Sequence, residues 1–233
     1  MTAASRPARV AAAALLGAGL AAGPAAGQSL NVDIGPPGGG PPHTYAAAGE
    51  AGVWNAIPAA NGSTTSNLVG LDGAPTAAGL QQIGGLELVS VDDPATTGDD
   101  GLLMDDYLVT FNDTLETCIF MTGLAPGEYE VLVYARMPIA TDVLSDVFVD
   151  QEPNVPHYPV GGVWPGGHQE LITYSRHSLT VSADGRLDFH SGIVPGADPL
   201  AGAALNGFQI RNLAEIFRDG FEIGDASRWA TVP

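Results

Sequence analysis

Gly123-Leu124-Ala125-Pro126-Gly127-Glu128-Tyr129 stands between two strand-like runs, residues 115–122 before it and residues 129–136 after it. Proline presets φ and glycine accepts positive φ, so Pro126-Gly127 predicts a type II turn and the flanking runs predict a β-hairpin. Side chains two apart on a strand share a face. Tyr129, Val131, Val133 and Ala135 are therefore expected in the core, with Glu128, Glu130, Leu132 and Tyr134 on the opposite face. The same grammar recurs along the chain. Residues 30–34, 86–91, 146–150, 175–181, 186–190 and 205–211 also read as strands, separated by turn-forming residues such as Ala183-Asp184-Gly185. Glycine (31) and proline (18) make up about a fifth of the 233 residues, and no long stretch shows helical periodicity. The reading is all-β, an antiparallel β-sandwich of one domain over residues 28–212.

The ends read differently. Arg6 and Arg9 precede an uncharged Ala-, Leu- and Gly-rich run at residues 10–22, and Ala25-Ala26-Gly27 places small side chains before Gln28. This is the pattern of a signal peptide over residues 1–27. The run is shorter than the ~20 apolar residues that span a bilayer, so no membrane span is expected. The chain is expected to be exported, to the periplasm, the cell surface or the medium. Its formal net charge is −18, with no lysine, and all 26 acidic residues lie beyond residue 27. A field of that sign repels nucleic acid and anionic membranes and attracts cations. Cys118 is the only cysteine, so no internal disulfide forms, and Thr117-Cys118-Ile119-Phe120 reads as a strand burying a structural thiol.

Several motifs stand together: Asn31-Val32-Asp33-Ile34-Gly35, Gly52-Val53-Trp54-Asn55, the 123–129 segment, Trp164-Pro165-Gly166-Gly167, Thr173-Tyr174-Ser175-Arg176-His177 and Leu205-Asn206-Gly207-Phe208-Gln209-Ile210. The set resembles exported bacterial galactose-binding-like jelly rolls, the fold of malectin and many carbohydrate-binding modules. The resemblance covers roughly residues 31–211 and implies a jelly roll more firmly than any one ligand. The final segment, residues 213–233, is read as a short tail. Its Asp219-Gly220-Phe221-Glu222-Ile223-Gly224-Asp225 is similar to an Asp-Gly-Phe-Glu-x-Gly-Asp tail on other exported bacterial proteins, with Ile223 where serine is common.

Candidate chemistry is sparse. No nucleophile elbow, His-Glu-x-x-His or phosphate-binding loop occurs. Glu128 and Glu130 on one strand face have a glycosidase-like separation of about 7 Å, yet alternating exposed glutamates on a strand are ordinary. Asp92, Asp93, Asp99, Asp100, Asp105 and Asp106 crowd residues 92–106 among Pro94, Gly98 and Gly101. Such a loop supplies the hard oxygens calcium requires, or it is a solvated acidic loop in which Asp99 or Asp100 caps a turn through 102–107. Asp33 and Asp150, at strand ends, are weaker candidates. His157, His168, His177 and His190 lack zinc-ligand spacing. His190 is expected to be exposed, and His177 to be a hydrogen-bonded residue on the core side.

Sugar recognition needs an apolar face with polar groups at its edge. Trp54, Tyr158 and Trp164 offer faces; Asn55, His157, His168 and Arg176 offer edges, largely on the proline-rich loop at residues 151–169. The rival reading makes both tryptophans core closures, and Trp54 inclines to it. The expected function is a non-catalytic carbohydrate-binding or adhesive module with an extracellular glycan as partner. A structural surface or matrix protein is the alternative, and a glycan-active enzyme ranks third. Nothing in the sequence fixes the oligomeric state.

Overall fold

The computed structural model describes residues 28–58, 60–111, 116–198 and 200–216. The proposed signal peptide and most of the tail lie outside the described residues. One sheet has five strands in the order β11 (Tyr174–Val181), β8 (Gly127–Tyr134), β14 (Gly207–Asn212), β1 (Leu30–Ile34) and β2 (Trp54–Ile57). Facing it are six strands in the order β10 (Tyr158–Gly161), β9 (Leu144–Val149), β12 (Leu187–Ile193), β7 (Thr117–Thr122), β4 (Gly79–Ile83) and β3 (Thr64–Thr65). A three-stranded sheet, β13 (Ala203–Leu205), β6 (Asp106–Thr110) and β5 (Glu87–Ser90), closes one end. All described strand pairs are antiparallel except β1 with β2. The two ends of the domain meet in one sheet, as Leu30 pairs with Ile210 and Asp33 with Gly207.

The core lies between the two large sheets and follows the period of two. Leu30, Val32 and Ile34 of β1, Tyr129, Val131 and Val133 of β8, and Phe208 and Ile210 of β14 face Ile119 and Met121 of β7, Val147 and Val149 of β9, and Leu187 and Phe189 of β12. Phe189 meets Phe208 edge-on across the interface, with ring centroids 4.8 Å apart.

The 123–129 connection is not a hairpin. β7 pairs with β4 and β12, β8 pairs with β11 and β14, and the segment carries the chain from one sheet to the other. Both strands present apolar faces to the same core, and a crossing connection lets both faces be buried at once. Gly123 has φ +74, and a β-carbon there would stand 2.3 Å from the Ala77 carbonyl oxygen, so only glycine fits the crossing. The Ala183-Asp184-Gly185 turn also joins the two sheets, and the Leu124 N–H donates to the Gly185 carbonyl at 3.1 Å.

The outer face of the five-stranded sheet is half covered. Leu132 and Tyr134, expected opposite the core, form a second cluster with Trp54, Tyr174, Leu103 and Met104. Leu103 and Met104 come from α1 (Asp99–Met104), which begins at Gly98 without a side-chain cap, so neither Asp99 nor Asp100 caps it as the sequence led us to expect. The segment carrying Tyr45, Ala47 and Ala48 lies over the same face. It is held by the Tyr134 hydroxyl, which accepts from Ala48 N–H at 2.9 Å and donates to Gln209 Oε1 at 2.5 Å. Gln209 Nε2 in turn donates to Asn31 Oδ1, Ala46 O and Glu50 O.

Candidate functional site

Trp54, Trp164 and His168 meet on this covered face. Trp54 is 8% exposed and donates its indole N–H to the Tyr45 carbonyl at 3.1 Å, which makes it a wall of the second cluster, not a free platform. His168 is central: its ring lies 5.1 Å from Tyr134, 6.1 Å from Tyr45 and, at 85°, 5.6 Å from Trp164. Tyr45 donates its hydroxyl proton to Asp100 Oδ1 at 2.6 Å, and its oxygen stands 2.6 Å from His168 Nε2. A hydroxyl proton serves one acceptor, so Nε2 carries the imidazole hydrogen and donates. Burial lowers His168 below the usual imidazole range, against the pull of Asp100.

Trp164 is half-buried, and the Arg136 guanidinium lies over its ring at 5.6 Å. Arg136 is buried, with Nη2 donating to Asp93 Oδ2 at 3.0 Å and Nε to the Gly162 carbonyl at 3.0 Å. The loop from 162 to 173 is further fixed by Thr173, whose hydroxyl accepts from Gln169 N–H and donates to Gln169 O. The same loop leaves Val163 70% and Leu171 48% exposed. At the adjoining strand edge Arg176 is bound by Glu130 and, through Nε at 3.2 Å, by Glu170, while its guanidinium lies 5.7 Å from the Tyr174 ring.

The remaining residues expected at a sugar site lie elsewhere. His157 Nδ1 stands 2.6 Å from Asp146 Oδ2, and its ring lies 4.6 Å from Phe148 of β9, in the other sheet. Tyr158 begins β10 and meets His177 edge-on at 4.9 Å. Asn55 is structural: its amide donates to Asn31 O and Val69 O and accepts from Val69 N–H, clamping a loop to β2. The 151–169 loop therefore straddles the sandwich edge and divides its residues between two surfaces. His177 is hydrogen-bonded as expected, to Glu152 Oε2 at 2.7 Å and Ser175 Oγ at 2.9 Å.

The six aspartates also disperse. Asp93 pairs with Arg136, Asp100 with Tyr45, and Asp105 Oδ1 accepts from the Thr96 hydroxyl at 2.5 Å. Asp92, Asp105 and Asp106 line a cavity of about 430 Å³ with Ser90, Thr96, Thr97, Leu102 and Gly39. Among the described residues no group of three His, Cys, Asp or Glu side chains is arranged to hold a metal ion. Three of the six carboxylates, those of Asp93, Asp100 and Asp105, are thus engaged in separate contacts, and the six do not converge on one point. Glu128 and Glu130 are likewise occupied, the first by the Thr180 hydroxyl and the second by Arg176 and Arg211.

One grouping was not visible in the sequence. His190, expected to be exposed, is 9% exposed because Phe148 stacks on it at 4.4 Å from the neighbouring strand. Its Nε2 stands 3.5 Å from Cys118 Sγ and its Nδ1 3.0 Å from Glu116 Oε1. The order thiol, imidazole, carboxylate imitates a nucleophilic triad, but burial first, then Asp188, Glu116 and Asp150, push the thiol up to about 12. A thiol so held is not an activated nucleophile. Only the strand register, which sets His190 opposite both Cys118 and Phe148, brings these residues together.

No protein-family model and no curated protein sequence matches the chain. Among solved structures, a β-glucuronidase from Bacteroides uniformis is similar at TM-score 0.44 and 14% identity, over 79% of this chain and 18% of that one. The ANX2 ectodomain from Arabidopsis thaliana is similar at TM-score 0.39 and 13% identity, over 78% of this chain and 48% of that one. An exo-β-1,3-galactanase from Phanerochaete chrysosporium follows at TM-score 0.35 and 15% identity, over 66% of this chain and 30% of that one. The chain spans less than half of each of these proteins. The β-sandwich described above rests on strand pairing and core composition. No described helix is long and apolar enough to cross a membrane.

Proposed function

We propose that the protein is an exported, non-catalytic module that binds extracellular glycan through the face of the 162–173 loop. The observation that carries this reading is a hydrogen-bonded loop that does not bury its own apolar side chains. Val163, Leu171 and part of Trp164 stay in contact with water although Gly162, Gln169, Leu171 and Thr173 of the same loop are hydrogen-bonded. Apolar groups held exposed on an ordered loop fit a partner surface. The indole offers a stacking plane, and Arg176 and Glu170 offer charged hydrogen-bonding groups on the same side of the sheet. A face this shallow buries little of a sugar, so affinities in the millimolar to micromolar range (about −4 to −8 kcal/mol) are expected. A glycan array probed with the purified protein tests the class of ligand. Retention of related saccharides sharing one terminal or repeating unit is expected. Uniform absence of binding across bacterial, plant and animal glycans would favour a structural surface protein without a small ligand.

A further inference from the structure

Asp33 is completely buried, and neither of its carboxylate oxygens has a hydrogen-bond partner. An ionised carboxylate left so is costly, and most buried polar groups are satisfied by protein, water or an ion. Asp33 does not stand alone. A β-carbon on Gly35 would lie 2.9 Å from Asp33 Oδ2 and 3.1 Å from Asp106 Oδ2, so both carboxylates face one small space. A β-carbon on Gly40 would come within 3.2 Å of the same Asp33 oxygen. Neither glycine has the left-handed backbone that excludes side chains, so what they provide here is room. Asp106 Oδ1 is also buried without a partner. Asn206 holds the main chain there, donating Nδ2 to Met104 O at 3.0 Å and Asp106 O at 3.2 Å, while its own buried Oδ1 is unpaired.

We propose that Asp33 and Asp106 form a calcium site beside Gly35, its shell completed by main-chain oxygens and by water from the adjoining cavity. All the unpaired groups are oxygens, with no sulfur or imidazole among them, which is hard-cation chemistry. Two carboxylates at strand ends, with irregular backbone at Gly35 and Gly40 beside them, suit the loose six- to eight-fold shell of calcium better than the strict octahedron of magnesium. Asp106 and Gly39 also line the 430 Å³ cavity, which gives the ion a path to solvent. The site differs from the open 92–106 loop, since Asp33 comes from β1, far away in sequence. It goes beyond the glycan reading and stands whether or not the 162–173 face binds sugar.

Isothermal titration and thermal melts of the purified protein, with calcium chloride against chelator at fixed ionic strength, test this. Calcium at about 100 times its Kd should raise Tm by roughly 5–10 °C, since a ligand of the folded state alone stabilises it by mass action. Magnesium at the same concentration should do much less. Asp33→Asn keeps the shape and removes the charge, so it should fold, as circular dichroism would show, and lose calcium affinity by ~100-fold or more. Gly35→Ala, which fills the space between the carboxylates, should also lose the response. A parent protein with no calorimetric heat and no shift at millimolar calcium would overturn the site. So would a response that survives Asp33→Asn but disappears in an Asp92→Asn/Asp105→Asn double variant, which would place the ion in the open loop.

Discussion

His168 and His177 are both held as neutral imidazoles, and for the same reason. Burial lowers each below the usual imidazole range of about 6.5 and outweighs the carboxylates nearby, Asp100 for His168 and Glu152 and Glu170 for His177. In the unfolded chain both take a proton as pH falls through about 6.5, while in the folded protein they resist it. Their contribution to stability is therefore complete above that pH and is lost as the pH drops below it. Asp33, raised by burial, acts in the opposite direction over the same window, so the histidine share is read as a difference: between pH 7.5 and pH 5 the Tm of His177→Gln should fall less, or rise more, than that of the parent. Identical pH slopes for the two proteins would contradict the burial of the His177 ring. Residue identity alone did not foretell this. His177 was legible, because its place in an alternating strand fixed its face. His190 was not, because its burial comes from Phe148 on a neighbouring strand, which no local pattern announces.

At the scale of elements, Arg136 shows how the candidate face is built. It follows β8, is buried, and joins Asp93 in one loop to the Gly162 carbonyl in another, beneath the Trp164 ring. Asp93→Ala would leave that guanidinium buried without its counter-charge, at a cost of about 3–5 kcal/mol by denaturant unfolding. A cost under about 1 kcal/mol would show that the pair does not anchor the loop. Although β4 and β6, which supply Leu80 and Leu108 to the core, were not legible, most core strands could be read because apolar alternation at period two is a direct imprint of a half-buried face. Their pairing could not. Pro126-Gly127 has the composition of a hairpin turn, but composition does not say whether the following strand folds back beside its predecessor or crosses to the opposite sheet. β2 and β10 escaped notice for other reasons. Trp54–Ile57 is only four residues long, too short to show a period, and Tyr158–Gly161 contains Pro159 at a sheet edge, where proline is tolerated.

For the molecule as a whole, the two sheets divide the labour. Their inner faces make the core, and the outer face of the five-stranded sheet carries a second layer of aromatic side chains capped by α1 and two loops. The residues expected to line a single sugar site were gathered only in part, because the 151–169 loop passes around the sandwich edge and leaves His157 and Tyr158 on other surfaces. What stays together, Trp164 with His168 and the neighbouring Arg176, is the basis of the functional reading. The most direct measurement compares the parent with Trp164→Ala and Trp54→Ala, by titration with a glycan retained on the array and by thermal melt. The account predicts that Trp164→Ala folds with a cost under about 1.5 kcal/mol and loses measurable binding, whereas Trp54→Ala, a cluster residue, costs about 3–5 kcal/mol. A stable Trp164→Ala protein that binds every glycan the parent binds would contradict it.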